Sequence, residues 1–81
     1  MVRQFGTPRH EELRRLLIEK RKKAGFSQAE LGRRLGWSQR TIGKIETGEK
    51  RVTAVELIEI GEVLDFDPTA ALRRVAKAVK R

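Results

Sequence analysis

Apolar residues return along this chain at intervals of three and four and never in strict alternation, which is the pattern of amphipathic helices rather than strands. Leu13, Leu16, Leu17, Lys20 and Ala24 form one stripe, opened by Thr7 as N-cap with Pro8 in the first helical position and closed by Gly25. The next starts share a grammar. Phe26-Ser27-Gln28-Ala29-Glu30-Leu31 offers a serine N-cap, a glutamate three positions on to complete a capping box, and a Phe–Leu staple, and Val52-Thr53-Ala54-Val55-Glu56-Leu57 repeats it in full. Trp37-Ser38-Gln39-Arg40-Thr41-Ile42 keeps cap and staple but has Thr41 where the glutamate would stand, and Asp67-Pro68 opens a fifth helix. The predicted helices cover 8–24, 28–35, 39–46, 54–64 and 68–79. Their inward sets are Leu31 and Leu35; Ile42 and Ile45; Leu57, Ile60 and Leu64; and Leu72, Val75 or Ala76, and Val79, sealed by Phe26, Trp37, Val52 and Phe66. Short helices with short connections predict an all-α, compact five-helix domain spanning 1–81 with no separate linker.

Composition narrows the chemistry. The 81 residues include no cysteine and one histidine, His10, so disulfides, thiolate catalysis and Cys- or His-based metal clusters are excluded, and neither cofactor nor metal is expected. No apolar run approaches the length of a membrane span and the first residues lack the apolar stretch of a signal peptide, so an intracellular protein without membrane contact is expected. Charge is uneven: 19 Lys and Arg against 11 Asp and Glu give +8. Residues 1–51 carry a net +8, residues 52–72 only the acids Glu56, Glu59, Glu62, Asp65 and Asp67, and residues 73–81 only bases. A basic front suggests one face meeting a polyanion.

The segment that combines these signals is GWSQRTIGKIETG, residues 36–48, where Gln39, Arg40 and Lys44 alternate with Ile42 and Ile45. A glycine just past one helix and an N-cap two residues later force a tight reversal, the geometry of a helix-turn-helix. Over SQAELGRRLGWSQRTIGKIETG the chain resembles the helix-turn-helix of the Cro and lambda repressor type, with Gln28, Leu31, Gly36, Gln39, Ile42, Ile45, Glu46 and Gly48 at the expected spacing and the likeness extending over roughly residues 12–72. The resemblance implies a lambda repressor-like domain whose helix 39–46 enters the major groove of double-stranded DNA. It places Gln39, Arg40 and Lys44, with Thr47 nearby, at base edges, where Gln suits adenine and Arg or Lys suits guanine. It places Gln28 at a backbone phosphate, where it also helps to orient the first reading residue; beside it, Ser38 and Thr41 at the start of helix 39–46 and the basic Arg33, Lys50 and Arg51 are expected at the DNA backbone, setting affinity more than sequence choice. It also implies an orienting ion pair between Arg21 and Glu46. Gly32, where the family usually has alanine, is expected to make the joint between the two helices less rigid, and Gly43 is expected to let groups approach DNA closely.

Other functions fit poorly. Scattered carboxylates and a lone histidine indicate no acid–base pair, so no enzyme is expected. GWSQRTIGK has the wrong spacing between its glycines for a phosphate-binding loop, lacks the final Ser or Thr, and follows no strand. The reading that follows is a transcriptional regulator, a repressor binding a pseudo-palindromic operator as a homodimer, in the cytoplasm of a bacterial or phage-type system and associated with the nucleoid. Leu72, Val75, Ala76 and Val79 of the last helix are the expected dimerisation positions. The alternative is an antitoxin or adaptor that keeps the helix-turn-helix while holding a protein partner.

Overall fold

The computed structural model describes residues 7–78, which contain five helices: α1 (Pro8–Lys23), α2 (Gln28–Leu35), α3 (Gln39–Thr47), α4 (Ala54–Leu64) and α5 (Pro68–Ala76). Each start is held by the expected N-cap: the side chains of Thr7, Ser27, Ser38, Thr53 and Asp67 accept from backbone N–H groups of His10, Glu30, Thr41, Glu56 and Thr69. The box at Thr53–Glu56 closes in both directions. The one expected at Ser27–Glu30 does not, because Glu30 turns its carboxylate outward to Arg33 and Arg34. Two local ion pairs there outbid one exposed backbone N–H that water can satisfy.

Leu16, Leu17, Leu31, Ile42, Ile45, Leu57, Ile60, Leu64 and Ala71 form the core, with Leu13, Phe26, Leu35, Trp37, Val52, Val63 and Phe66 packed around it. Trp37 therefore acts as the expected staple on the core side. Lys20 lies along this layer with its Nζ 5.8 Å from the centre of the Phe66 ring, its stem on apolar surface and its charge at the rim.

The joint between α2 and α3 sets the geometry of the functional region. Gly36 takes a left-handed conformation at φ 76°, which only glycine adopts cheaply, so α2 stops and Ser38 restarts the chain as α3. Gly32 tightens this joint rather than loosening it: a Cβ there would lie 2.7 Å from the Trp37 carbonyl oxygen. The missing methyl lets the incoming backbone of α3 rest directly on α2, closer than an alanine allows.

The last helix departs most from expectation. α5 ends at Ala76 rather than 79, and Val79 lies outside the described residues. Its buried anchor is Ala71, whereas Leu72 and Ala76 are exposed and Val75 is half-buried. Polar contacts fix that rotation. Arg74 donates to Glu12 at 2.6 Å and to Glu19 at 3.0 and 3.2 Å, both on α1, and Arg9 reaches the Ala76 carbonyl at 2.9 Å. Arg74 lies next to Ala71 on the α1 side, so Leu72 is turned away.

Hydrogen bonding from Arg74 holds the carboxyls of Glu12 and Glu19 below the ordinary value of 4.5. A carboxyl whose folded pKa is depressed stabilises the fold above its unfolded pKa and loses that contribution as pH falls through the folded value. Docking of α5 is therefore expected to weaken below about pH 4.5, read by amide exchange of residues 69–76 between pH 5 and 3. Arg74→Ala should loosen α5 at pH 5 and remove most of that acid sensitivity; an unchanged pH response in the variant would contradict this account.

Candidate nucleic-acid interface

The outward surface of α3 is held from beneath by side chains that sequence spacing brings to one side of α1. Arg21, 9% exposed, and Glu46, 8% exposed, are the buried charged residues of the described chain. Arg21 Nε donates to Glu46 Oε2 at 2.6 Å and its Nη2 to Oε1 at 3.0 Å, a two-pronged pair that fixes direction as well as distance. Its Nη1 donates to the Phe26 carbonyl at 2.8 Å. One guanidinium thus ties the end of α1, the entry to α2 and the last turn of α3.

From Glu46 the bonds continue outward. Gln28 Nε2 donates to Glu46 Oε1 at 2.9 Å, and Gln28 Oε1 accepts from Gln39 Nε2 at a longer 3.3 Å. The carboxylate determines this order, since only the amide NH2 of Gln28 can face it, leaving the amide oxygen for Gln39. Gln39 retains one N–H and its oxygen, the donor and acceptor that match adenine N7 and N6. Gln28 likewise retains one N–H for a phosphate oxygen. Gly43 sits beside this chain: a Cβ on it would meet Gln28 Oε1 at 3.6 Å, an ordinary contact. Nothing within the fold requires glycine at that position.

The other expected residues divide by their existing partners. Arg40 is exposed and Lys44 half-buried, and among the described residues neither side chain has a partner. The Thr47 hydroxyl lies 3.2 Å from both the Lys44 carbonyl and a Glu49 carboxylate oxygen, so its single proton is already engaged. Ser38 Oγ is 3.1 Å from Thr41 Oγ1, the two hydroxyls meeting at the N-terminus of α3 where backbone N–H groups also point outward. Arg33 pairs with Glu30. Lys50 turns back to Glu56, 3.3 Å away, and to the Arg51 carbonyl at 3.1 Å. The Thr53 backbone N–H, and after it Lys50, hold the Glu56 carboxyl below the usual carboxylate range. Arg51 is exposed. Gln39, Arg40 and Lys44 therefore remain the outward set, with the lysine and arginines of the flanking elements at its edges.

Sequence reasoning missed Arg14. Its Nη1 donates to the Glu46 backbone carbonyl at 2.7 Å and its Nη2 to Glu11 at 2.6 Å, so it caps the C-terminal end of α3 from the same side of α1 as Arg21. The available signal was the seven-residue interval between the two arginines, which places them on one helix face. A second cation near the C-terminal carbonyls of α3 also opposes the negative end of that helix dipole.

No group of three or more metal-ligating side chains exists among the described residues, and no described helix is long and apolar enough to cross a membrane. Removing one partner of the buried pair leaves the other charge without compensation. Arg21→Met is therefore expected to destabilise the fold by about 3–5 kcal/mol, measured by urea denaturation. A loss below about 1 kcal/mol, the range of an exposed pair, would show that this contact does not hold α3.

The comparisons with known proteins agree with this geometry. The sequence profile of the helix-turn-helix family matches residues 17–70. Eight chains among the solved structures match, including an XRE-family like protein from Pseudomonas syringae pv. tomato str. DC3000, 35% identical, over 84% of this chain and 83% of that one, with a TM-score of 0.78. A search of curated proteins gives no match. With more than half of the chain matched by the family profile and 84% of it aligned with an XRE-family structure at 35% identity, this protein belongs to the Cro and XRE-type helix-turn-helix family of DNA-binding transcriptional regulators.

Proposed function

We propose that this chain is a sequence-specific repressor that occupies a pseudo-palindromic operator as a homodimer, each copy setting α3 in the major groove. The observation that carries the reading is the polar outer face of α3, Gln39, Arg40 and Lys44, mounted on a helix anchored through Glu46 to Arg21. Gln39 reads adenine and Arg40 or Lys44 reads guanine. Thr47 contributes at the edge of the site, and Gln28, Ser38, Thr41, Arg33, Lys50 and Arg51 meet phosphates. A module of this size covers little DNA, so two copies on half-sites about one helical turn apart supply the remaining affinity. The chain works as one domain, in the cytoplasm and on the nucleoid.

A second reading, an antitoxin or adaptor holding another protein, draws support from the exposed apolar side chains Val55, Ile58 and Leu72 on the surface formed by α4 and α5. In that case DNA binding persists and the exposed surface serves the partner.

Selection of bound sites from random duplexes is expected to return two related half-sites in inverted order. On the selected site, Gln39→Ala and Arg40→Ala should each lose about 1–3 kcal/mol of discrimination at one base position. Arg51→Ala should weaken binding equally on all sequences and reduce the salt slope by about one. Equal, sequence-independent losses in all three variants would overturn the assignment of readers.

A further inference from the structure

Arg14 carries one polar group that the fold does not account for. Its Nη1 and Nη2 are taken up by the Glu46 carbonyl and by Glu11, but its Nε is buried and has no hydrogen-bond partner among the described residues. A buried N–H without an acceptor is costly, so such a group points to a guest. Arg14 borders a cavity of about 30 Å³ between α1 and the turn that leads from α3 to α4. Leu13, Leu17, Ile45 and Val52 give this cavity apolar walls. Its polar side chains are those of His10, Arg14, Lys50 and Arg51. Among the described residues no acid lines it: Glu11 is held by Arg14 Nη2 and Glu56 lies at Lys50, both outside the lining.

We infer that this cavity binds a small inorganic anion, with chloride as its representative, held by Arg14 Nε and surrounded by Lys50, Arg51 and His10. Size and donor character select the guest. The volume exceeds the roughly 10–15 Å³ that one water needs but leaves no room for an organic acid. A water has two protons to place and needs acceptors, whereas guanidinium and ammonium groups offer only donors. The Lys50 ammonium, bonded to Glu56 and to the Arg51 carbonyl, keeps a third N–H. His10 can add another donor. The Thr7 oxygen accepts from the His10 backbone N–H, its own proton can be directed at Nδ1 2.7 Å away, and that tautomer carries its hydrogen on Nε2. An anion accepts from several such donors at once and offsets the positive charge gathered there. Bound in the cavity, it ties α1 to the turn at 48–52 from beneath. The site does not depend on the DNA-reading assignment.

The test is thermal unfolding of the full chain without DNA, with potassium gluconate exchanged for potassium chloride at a constant ionic strength of about 0.2 M, so that general screening is unchanged. With a Kd of about 50 mM, chloride should raise the wild-type midpoint by about 4–8 °C. Arg14→Lys keeps the charge but puts a methylene where Nε stands, and Val52→Ile adds a methylene to the apolar wall. Each variant, once circular dichroism confirms its helical fold, should shift by less than about 1 °C. A wild type without a chloride response overturns the site. Equal responses in all three chains show a general anion effect and overturn it as well. Position is read from wild-type crystals grown in bromide, whose anomalous scattering should peak within hydrogen-bonding reach of Arg14 Nε. An ordered water there, or bromide bound only elsewhere on the surface, overturns the assignment even if both variants fail to fold.

Discussion

The pair between Arg21 and Glu46 is the contact through which the rest of the arrangement is transmitted. Charges this buried are costly to leave unpaired, and the side chains meet two-pronged with a further bond from Arg21 to the Phe26 carbonyl, so few alternative positions of α3 satisfy them. Net stability is not the main consequence of such a pair. Its consequence is register: α3 is held at one rotation about its own axis, with Ile42 and Ile45 inward and Gln39, Arg40 and Lys44 outward. Arg14 reinforces this from the same helix face by bonding the Glu46 carbonyl.

That register connects a core interaction to a surface one. Gln28 stands between them because its amide has both a donor and an acceptor, and the carboxylate of Glu46 decides which end faces which neighbour. The side chain thereby passes orientation from a buried carboxylate to an exposed amide. A helix anchored only by its isoleucines would keep the same face in water but would leave Gln39 to rotate freely. Ordering it before binding would lower the entropy lost in the proposed contact with a base edge. Gly32 contributes to the same end, since a Cβ there would press against the Trp37 carbonyl and hold the two helices farther apart.

What was legible in the sequence follows the range of the forces involved. Helix starts depend on a side chain and a backbone group two or three residues away, so Thr7, Ser27, Ser38, Thr53 and Asp67 announced them correctly. The turn at Gly36 and the apolar sets of α2 to α4 were equally local. Competition among side chains was not legible: Glu30 could serve its cap or its arginines, and the arginines prevailed. The rotation of α5 was also hidden, because a helix of nine residues offers only a few apolar positions, and the choice of Ala71 over Leu72 is made by Arg74 reaching across to α1. In the candidate site, the resemblance supplied Arg21, Glu46, Gln28 and the outward residues. It did not reveal Arg14 or the pairing of Lys50 with Glu56, both of which depend on side-chain rotamers, whereas the bond that joins Gln28 to Gln39 matches the orienting role the resemblance implied for Gln28.

Gln28 relays the position of the buried pair to Gln39, the side chain proposed to read a base. The most direct measurement is base discrimination by wild type and Gln28→Ala on a panel of duplexes carrying each single base-pair change in the selected half-site. Discrimination is expected to fall several-fold at the one position assigned to Gln39 and to persist at the positions assigned to Arg40 and Lys44. A variant that binds every duplex more weakly by one common factor, with discrimination unchanged at all positions, would contradict the relay and leave Gln28 as a phosphate contact alone.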